Sequence, residues 1–250
     1  ADSLQNIVDV ATKSIAGQQE GLDAAGTITV NDLTNGNEDV TFDGLGTGSA
    51  ATEIDFTDDA VTLTEAEFDK IDTEGLAFNL ENTITVNADS SGSGDGDVDV
   101  SGFTNGAKFV LNAEANGSTL IGGGDDDTLN GAGGVDTIEA EGNDVSITGG
   151  GNTDTVKFAA TVVAGDFTDG EFATVENIES DGTSVDIDMS NQTEDLDITG
   201  DSGANVLTGG EGGDTLTGLG SGDTFVFGDP ADDNGNTIVN VAGTGNDYAA

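Results

Sequence analysis

The chain has 250 residues, a formal charge of −46, only four cations (Lys13, Lys70, Lys108 and Lys157), and no histidine, arginine or cysteine. An acid excess of this size repels polyanions and anionic surfaces, which argues against nucleic acid and direct membrane insertion as partners. With no residue types for a triad, a zinc site, a thiol nucleophile or a phosphate clamp, with no tryptophan and with aromatics at 5%, the composition points away from an enzyme.

No stretch approaches the roughly 18 apolar residues of a membrane span. The chain opens at Ala1 without a leader, so the expectation is a processed fragment or a protein exported without an N-terminal signal. Low hydrophobicity and high charge also suit a disordered chain, but the apolar residues recur with a regularity that disorder does not produce.

In chain order, residues 1–22 are expected to form an amphipathic helix or linker, because Leu4, Ile7, Val8, Ala11 and Ile15 share one helical face after Asp2 and Ser3. Residues 23–112 read as a β-rich segment, with period-two alternation in "TITVN". Within it, Thr64 and Glu67 have capping-box spacing, which predicts a helical turn or two through Lys70. "DGDVD" over 95–99 resembles the start of a calcium loop, but Val100 and Gly106 stand at positions six and twelve, so it reads as a solvated turn.

From Ala113 to Lys157 the chain divides into five nonapeptides: "AEANGSTLI", "GGGDDDTLN", "GAGGVDTIE", "AEGNDVSIT" and "GGGNTDTVK". Position eight is apolar in all of them (Leu120, Leu129, Ile138, Ile147, Val156). A second block over 200–228 repeats the pattern as "GDSGANVLT", "GGEGGDTLT" and "GLGSGDTFV". Position six holds Asp127, Asp136, Asp154, Asp214 and Asp223, with Ser118, Val145 and Asn205 as departures. Between the blocks, 158–199 reads as an intervening β segment with a short helical turn, and 229–250 as the start of a further repeat. The order of segments over 52–124 recurs over 153–210, with "DVDV" matched by "VDID", so the chain is an array built by duplication.

These nonapeptides resemble the repeats-in-toxin pattern GGxGxDxUx, a calcium-binding β-helix repeat. Combined with the Thr/Val/Asp-rich strands and an "F…VENI" segment, the chain looks most like calcium-dependent bacterial surface-layer proteins. The resemblance implies an all-β fold, a right-handed parallel β-roll or β-solenoid, in an extracellular structural protein. Such a protein is secreted to the bacterial surface or matrix, and folds and self-assembles on binding Ca2+. Self, calcium and cell-surface polysaccharide are its expected partners. A repeat segment of a large adhesin and an export module of a secreted enzyme are the alternatives.

The chemistry of the repeat supports the same ion. Glycine permits tight turns and close approach of carbonyls, while Thr-Leu or Thr-Ile suits a short strand with one inward side chain. Two nonapeptides make one coil, so repeats i and i+2 stack, with position-six carboxylates roughly 4.8 Å apart. Two such charges repel by roughly 3.5 kcal/mol at a dielectric near 20, and a hard dication between them reverses the sign. The expected ligands are Asp136 over Asp154, the best site, and Asn205 over Asp223, a weaker one. Asp127 and Asp214 are expected half-sites, completed by Asp125, Asp126 or Asp144. Main-chain oxygens of the repeat glycines Gly131, Gly133, Gly149, Gly151, Gly209 and Gly218 are expected to fill the shell.

Overall fold

The structure is a computed structural model that describes residues 27–30, 53–56, 60–65, 68, 77–78, 83–88, 96–103, 107–226, 236–240 and 248–249. The expected N-terminal helix and most of the further repeat expected over 229–250 lie outside them. Glu65 and Phe68 have helical backbone, and the rest of the expected turn through Lys70 lies outside the described residues.

The fold is all-β, a parallel β-solenoid of about seven turns. One face is an eight-stranded sheet that takes, in spatial order, Val98–Asp99, Thr119–Ile121, Thr137–Ala140, Thr155–Phe158, Asn177–Ser180, Asp197–Thr199, Thr215–Gly218 and Thr237–Asn240. The opposite face is a six-stranded sheet of Ala60–Thr64, Thr83–Asn87, Lys108–Asn112, Thr128–Asn130, Ser146–Thr148 and Phe172–Ala173. A four-stranded sheet of Ile187–Asp188, Val206–Thr208, Thr224–Val226 and Tyr248–Ala249 follows. A separate three-stranded sheet joins Thr27–Val30, Glu53–Phe56 and Ala77–Phe78. All of these pairings are parallel, and between 108 and 226 the chain passes from one face to the other at each strand.

Each nonapeptide strand of the first block is three or four residues long, and its position-eight apolar residue points inward between two half-buried neighbours. The inward residues stack in register. Leu120, Ile138, Val156, Ile178, Ile198 and Leu216 form one column. Leu111, Leu129, Ile147 and Phe172 face them, and Ile187, Leu207 and Phe225 continue that side. All are 0–1% exposed. Burying each is worth about 1.5–3 kcal/mol, and only the adjacent coils provide the burial. On the outer side of the six-stranded sheet, Asn130 donates to Asn112 at 2.8 Å and Asn112 to Asn87 at 2.9 Å, an amide ladder that ties three coils.

The expected stacking of repeats i and i+2 is observed: Thr137 lies over Thr155, Thr128 over Ser146, and Val206 over Thr224. The intervening segment 158–199 forms strands and turns, with no helical residue. It enlarges one coil: leaving Phe158, the chain first bridges Ile187 through Val162 and then returns to pair Phe172 with Ile147. Here the six-stranded sheet ends and the four-stranded one begins. Phe158, Phe167 and Phe172 fill the widened interior, with ring centroids 6.0 and 5.8 Å apart.

The sequence duplication has a structural counterpart in matching hydrogen bonds. The N–H of Phe103 donates to Val100 O, and that of Gln192 to Met189 O, both at 2.9 Å. Ser101 N–H donates to Asp99 Oδ1, and Ser190 N–H to Asp188 Oδ1. Yet Val98–Asp99 lies in the eight-stranded sheet and Ile187–Asp188 in the four-stranded one. Equivalent segments of the two copies therefore lie on opposite faces, half a coil out of step. "DGDVD" is less of a free turn than its composition suggests, since Val98 is buried and begins the eight-stranded sheet.

Glycine is required at the turns chiefly for close approach. Gly150 has φ +105° and a Cβ there would collide with the carbonyl of Ala132 one coil away, whereas a Cβ at Gly165 meets nothing within 4 Å. Gly150→Ala should lower stability by about 2 kcal/mol or more and Gly165→Ala by about 0.5 kcal/mol or less, as read from urea unfolding midpoints.

Candidate metal centre

The corner before each strand follows one local rule. The position-one glycine faces the position-six side chain of its own turn: a Cβ at Gly131 would come within 3.0 Å of Asp136 Oδ2, one at Gly149 within 2.8 Å of Asp154 Oδ2, and one at Gly200 within 2.6 Å of Asn205 Oδ1. Gly209 meets Asp214 and Gly218 meets Asp223 in the same way. None of Gly131, Gly133, Gly149, Gly151, Gly209 and Gly218 has a positive φ; the left-handed corner residues include Ala132, Asn152 and Ser221. The glycines at position one are thus selected to make room for the carboxylate rather than for their backbone freedom.

With that room, Oδ1 reaches back to the preceding coil. Asp136 Oδ1 accepts the N–H of Ser118 at 2.7 Å, and Asp154 Oδ1 accepts that of Asp136 at 2.8 Å. Asp127 Oδ1 accepts from Phe109, Asp214 Oδ1 from Leu196 and Asp223 Oδ1 from Asn205. The ladder includes side chains that the nonapeptide pattern does not mark: Glu176 Oε2 accepts from Asp154 N–H and Asn236 Oδ1 from Asp214 N–H. These residues precede strands that align with the repeats only in three dimensions, so period counting could not find them.

The second carboxylate oxygen separates the corners. Asp136 Oδ2 and Asp154 Oδ2 are buried and have no hydrogen-bond donor, and both residues are 0% exposed. Burial raises both pKa values, with Asp154 adding repulsion at Asp136 and Glu176 adding it at Asp154. Each orphan oxygen shares its glycine-lined cradle with a carbonyl of the next coil, since a Cβ at Gly131 would also strike Gly149 O and one at Gly149 would strike Thr174 O. An anionic oxygen and a main-chain carbonyl facing one small cradle, with no donor, is a donor set that fits a hard cation such as calcium. Among the described residues no three carboxylates converge on one point, so an ion here would depend on main-chain oxygens.

The corners at Asp127, Asp144 and Asn205 are closed by protein donors instead. Asp127 Oδ2 accepts Gly123 N–H at 2.7 Å, and Asp144 accepts Asp127 N–H at Oδ1 and Glu141 N–H at Oδ2. Asp144 therefore does lie against Asp127, as expected for that position, while Asp126 turns outward to an exposed ion pair with Lys108 at 3.2 Å. The half-sites lie beside apolar residues of the adjacent coils: Val145 N–H donates to Asp127 O, and Leu196 N–H to Asp214 Oδ1. Asn205 and Asp223 stack as expected, and Asn205 is satisfied at every polar atom of its side chain.

A scan against protein-family models matched none, and searches of curated proteins and of solved structures returned no similar chain. The reading of this centre rests on its own geometry.

Burial raises Asp127 to about 6 and Asp144 to about 7, with Asp125 and Glu141 adding repulsion at Asp127 and with Asp127 and Glu141 adding it at Asp144; main-chain N–H bonds oppose the shift. The folded chain thus binds more protons than the unfolded one between about pH 4 and 7, and stability falls as pH rises through that window. Asp201 works the other way: burial is outweighed by the N–H groups of Val185, Ser184 and Gly203, which hold its pKa below the usual range, and its contribution is lost only in stronger acid. In chelator, the free energy of unfolding obtained from urea denaturation should therefore be higher at pH 5 than at pH 8 by several kcal/mol, at about 1.4 kcal/mol per pKa unit. A flat profile over that range would contradict burial of these carboxyls.

Proposed function

We propose that the protein is an extracellular calcium-binding structural protein whose solenoid closes on binding Ca2+ and then self-assembles into a surface layer or matrix filament. The observation that carries this reading is the stacked pair of donorless carboxylate oxygens, Asp136 Oδ2 and Asp154 Oδ2, each facing a carbonyl of the next coil. Gly131 and Gly149 leave the space, and Asp136 and Asp154 hold their Oδ1 atoms in place through main-chain bonds. A bound calcium ion would supply positive charge to oxygens that have no donor.

The charge of −46 makes the ion consequential. At low calcium, repulsion among the acids opposes stacking of the coils, and sites with Kd near 10⁻⁴–10⁻³ M, about the range of extracellular modules, stay empty. Millimolar calcium outside the cell stabilises the stacked state alone. Assembly is supported by the ends of the eight-stranded sheet: among the described residues, Val98–Asp99 and Thr237–Asn240 each pair on one side only, and Ile238, stacked on Leu216, is 38% exposed. The outer edge of a parallel sheet is a template for another strand.

Sedimentation velocity in chelator and in millimolar calcium tests both steps. The expected result is a slow, partly expanded species in chelator, with the coils around Asp136 and Asp154 open, that becomes compact and then polymerises with calcium. An unchanged profile would sink the calcium reading, and a compact calcium-bound monomer would remove assembly from it. In calorimetric titration, Asp136→Asn combined with Asp154→Asn should lower the number of ions bound per chain by at least one.

A further inference from the structure

Asn205 takes the position that Asp136 and Asp154 hold in their turns, and its surroundings differ in kind. Its Oδ1 accepts Asp201 N–H at 3.0 Å; its Nδ2 donates to Val185 O at 2.8 Å and to Asp201 Oδ2 at 3.1 Å. The main-chain N–H of Asn205 donates to Asp223 Oδ1 at 3.0 Å. Asn205 is 2% and Asp201 8% exposed.

Asp201 gathers four more donors. Oδ1 accepts from Ser184 N–H at 2.9 Å and Gly203 N–H at 2.5 Å; Oδ2 accepts from Val185 N–H at 2.9 Å and Ser180 Oγ at 2.8 Å. The carboxylate thus meets donors from two successive coils, and both its lone-pair sets are engaged. An amide NH2 bridging a carbonyl of one coil and a carboxylate of the next makes the same two contacts, with the same sign of charge, that a cation in a corner would make.

We infer that the Asn205–Asp201 corner is a metal-independent clasp, in which the Asn205 amide stands in for the ion, so that the two segments it joins, 180–185 and 201–205, stay together without calcium. The ion-dependent coils around Asp136 and Asp154 then have a preformed solenoid end on which to close. The stacking of Asn205 over Asp223 is consequently a structural joint. The contrast between the corners rests on the calcium reading of Asp136 and Asp154; the clasp itself does not.

Hydrogen exchange of the full chain, in chelator and in millimolar calcium, separates the two. Amides of 184–205 should be protected in chelator and change little with calcium, whereas those of 131–154 should exchange at least about tenfold faster in chelator. Exchange of 184–205 as fast as 131–154 in chelator, with both slowed by calcium, would overturn the clasp. Protection of both segments in chelator, unaffected by calcium, would leave the clasp standing and remove the calcium reading. Asn205→Asp replaces the donor with a second carboxylate against Asp201; it should cost about tenfold in protection of 184–205 in chelator, restored by calcium. Full protection in chelator in that variant would show that the amide does not serve in place of an ion.

Discussion

A coil of two short strands encloses one inward residue per strand and has no core of its own. Everything else in the molecule follows from the need to lay coils against each other at the strand spacing. Apolar burial accomplishes this along the faces, where Leu120, Ile138 and Val156 stack in register. At the corners the sheet ladder stops, and the main-chain N–H of residues such as Ser118 and Asp136 would be left without an acceptor. A carboxylate from the next coil fills that gap. The same contact that satisfies the backbone therefore lines up acids along the solenoid.

Much of this was legible in the sequence. The nine-residue period fixed the strands, their inward residues and the stacking of alternate repeats, because a period of two strands per coil leaves one register that buries position eight. The placement of Asp136 over Asp154 followed from counting alone. What counting missed lies where the period is broken. Glu176 and Asn236 join the corner ladder from coils longer than 18 residues, and only the sheet pairing reveals their equivalence to Asp154 and Asp214. The half-coil offset between the duplicated units was equally hidden, since sequence similarity carries no record of which face a strand joins.

The widened coil at 158–177 shows how such an array absorbs an irregularity. Inserting residues between two strands of the eight-stranded sheet leaves its register intact, with Val156 still on Ile178. The opposite face is divided instead, and Phe167 with its two neighbours fills the volume so created. The duplicated copies differ at a related point: Phe103 packs against Phe68 and Phe109, while Gln192 occupies the matching turn, buried and reaching Phe167 O at 3.4 Å. Backbone geometry is retained in both, so the turn is specified by its main-chain bonds and the side chain adapts to the local width.

Comparison of Asp136 with Asn205 clarifies why a chain would retain carboxylates at buried corners. An asparagine keeps the acceptor, adds a donor and, with Asp201, closes its corner through protein groups alone, as the bonds to Val185 O and Asp201 show. For stability alone, asparagine at every corner would avoid burying charge, whose desolvation cost a backbone N–H only partly offsets. Asp136 and Asp154 accept that cost and leave an oxygen without a donor. On the proposed reading, the cost makes closure of those coils conditional on an ion, while the clasp at Asn205 keeps one end of the solenoid unconditional. The distribution of Asp and Asn at position six would then set where folding begins and what it waits for.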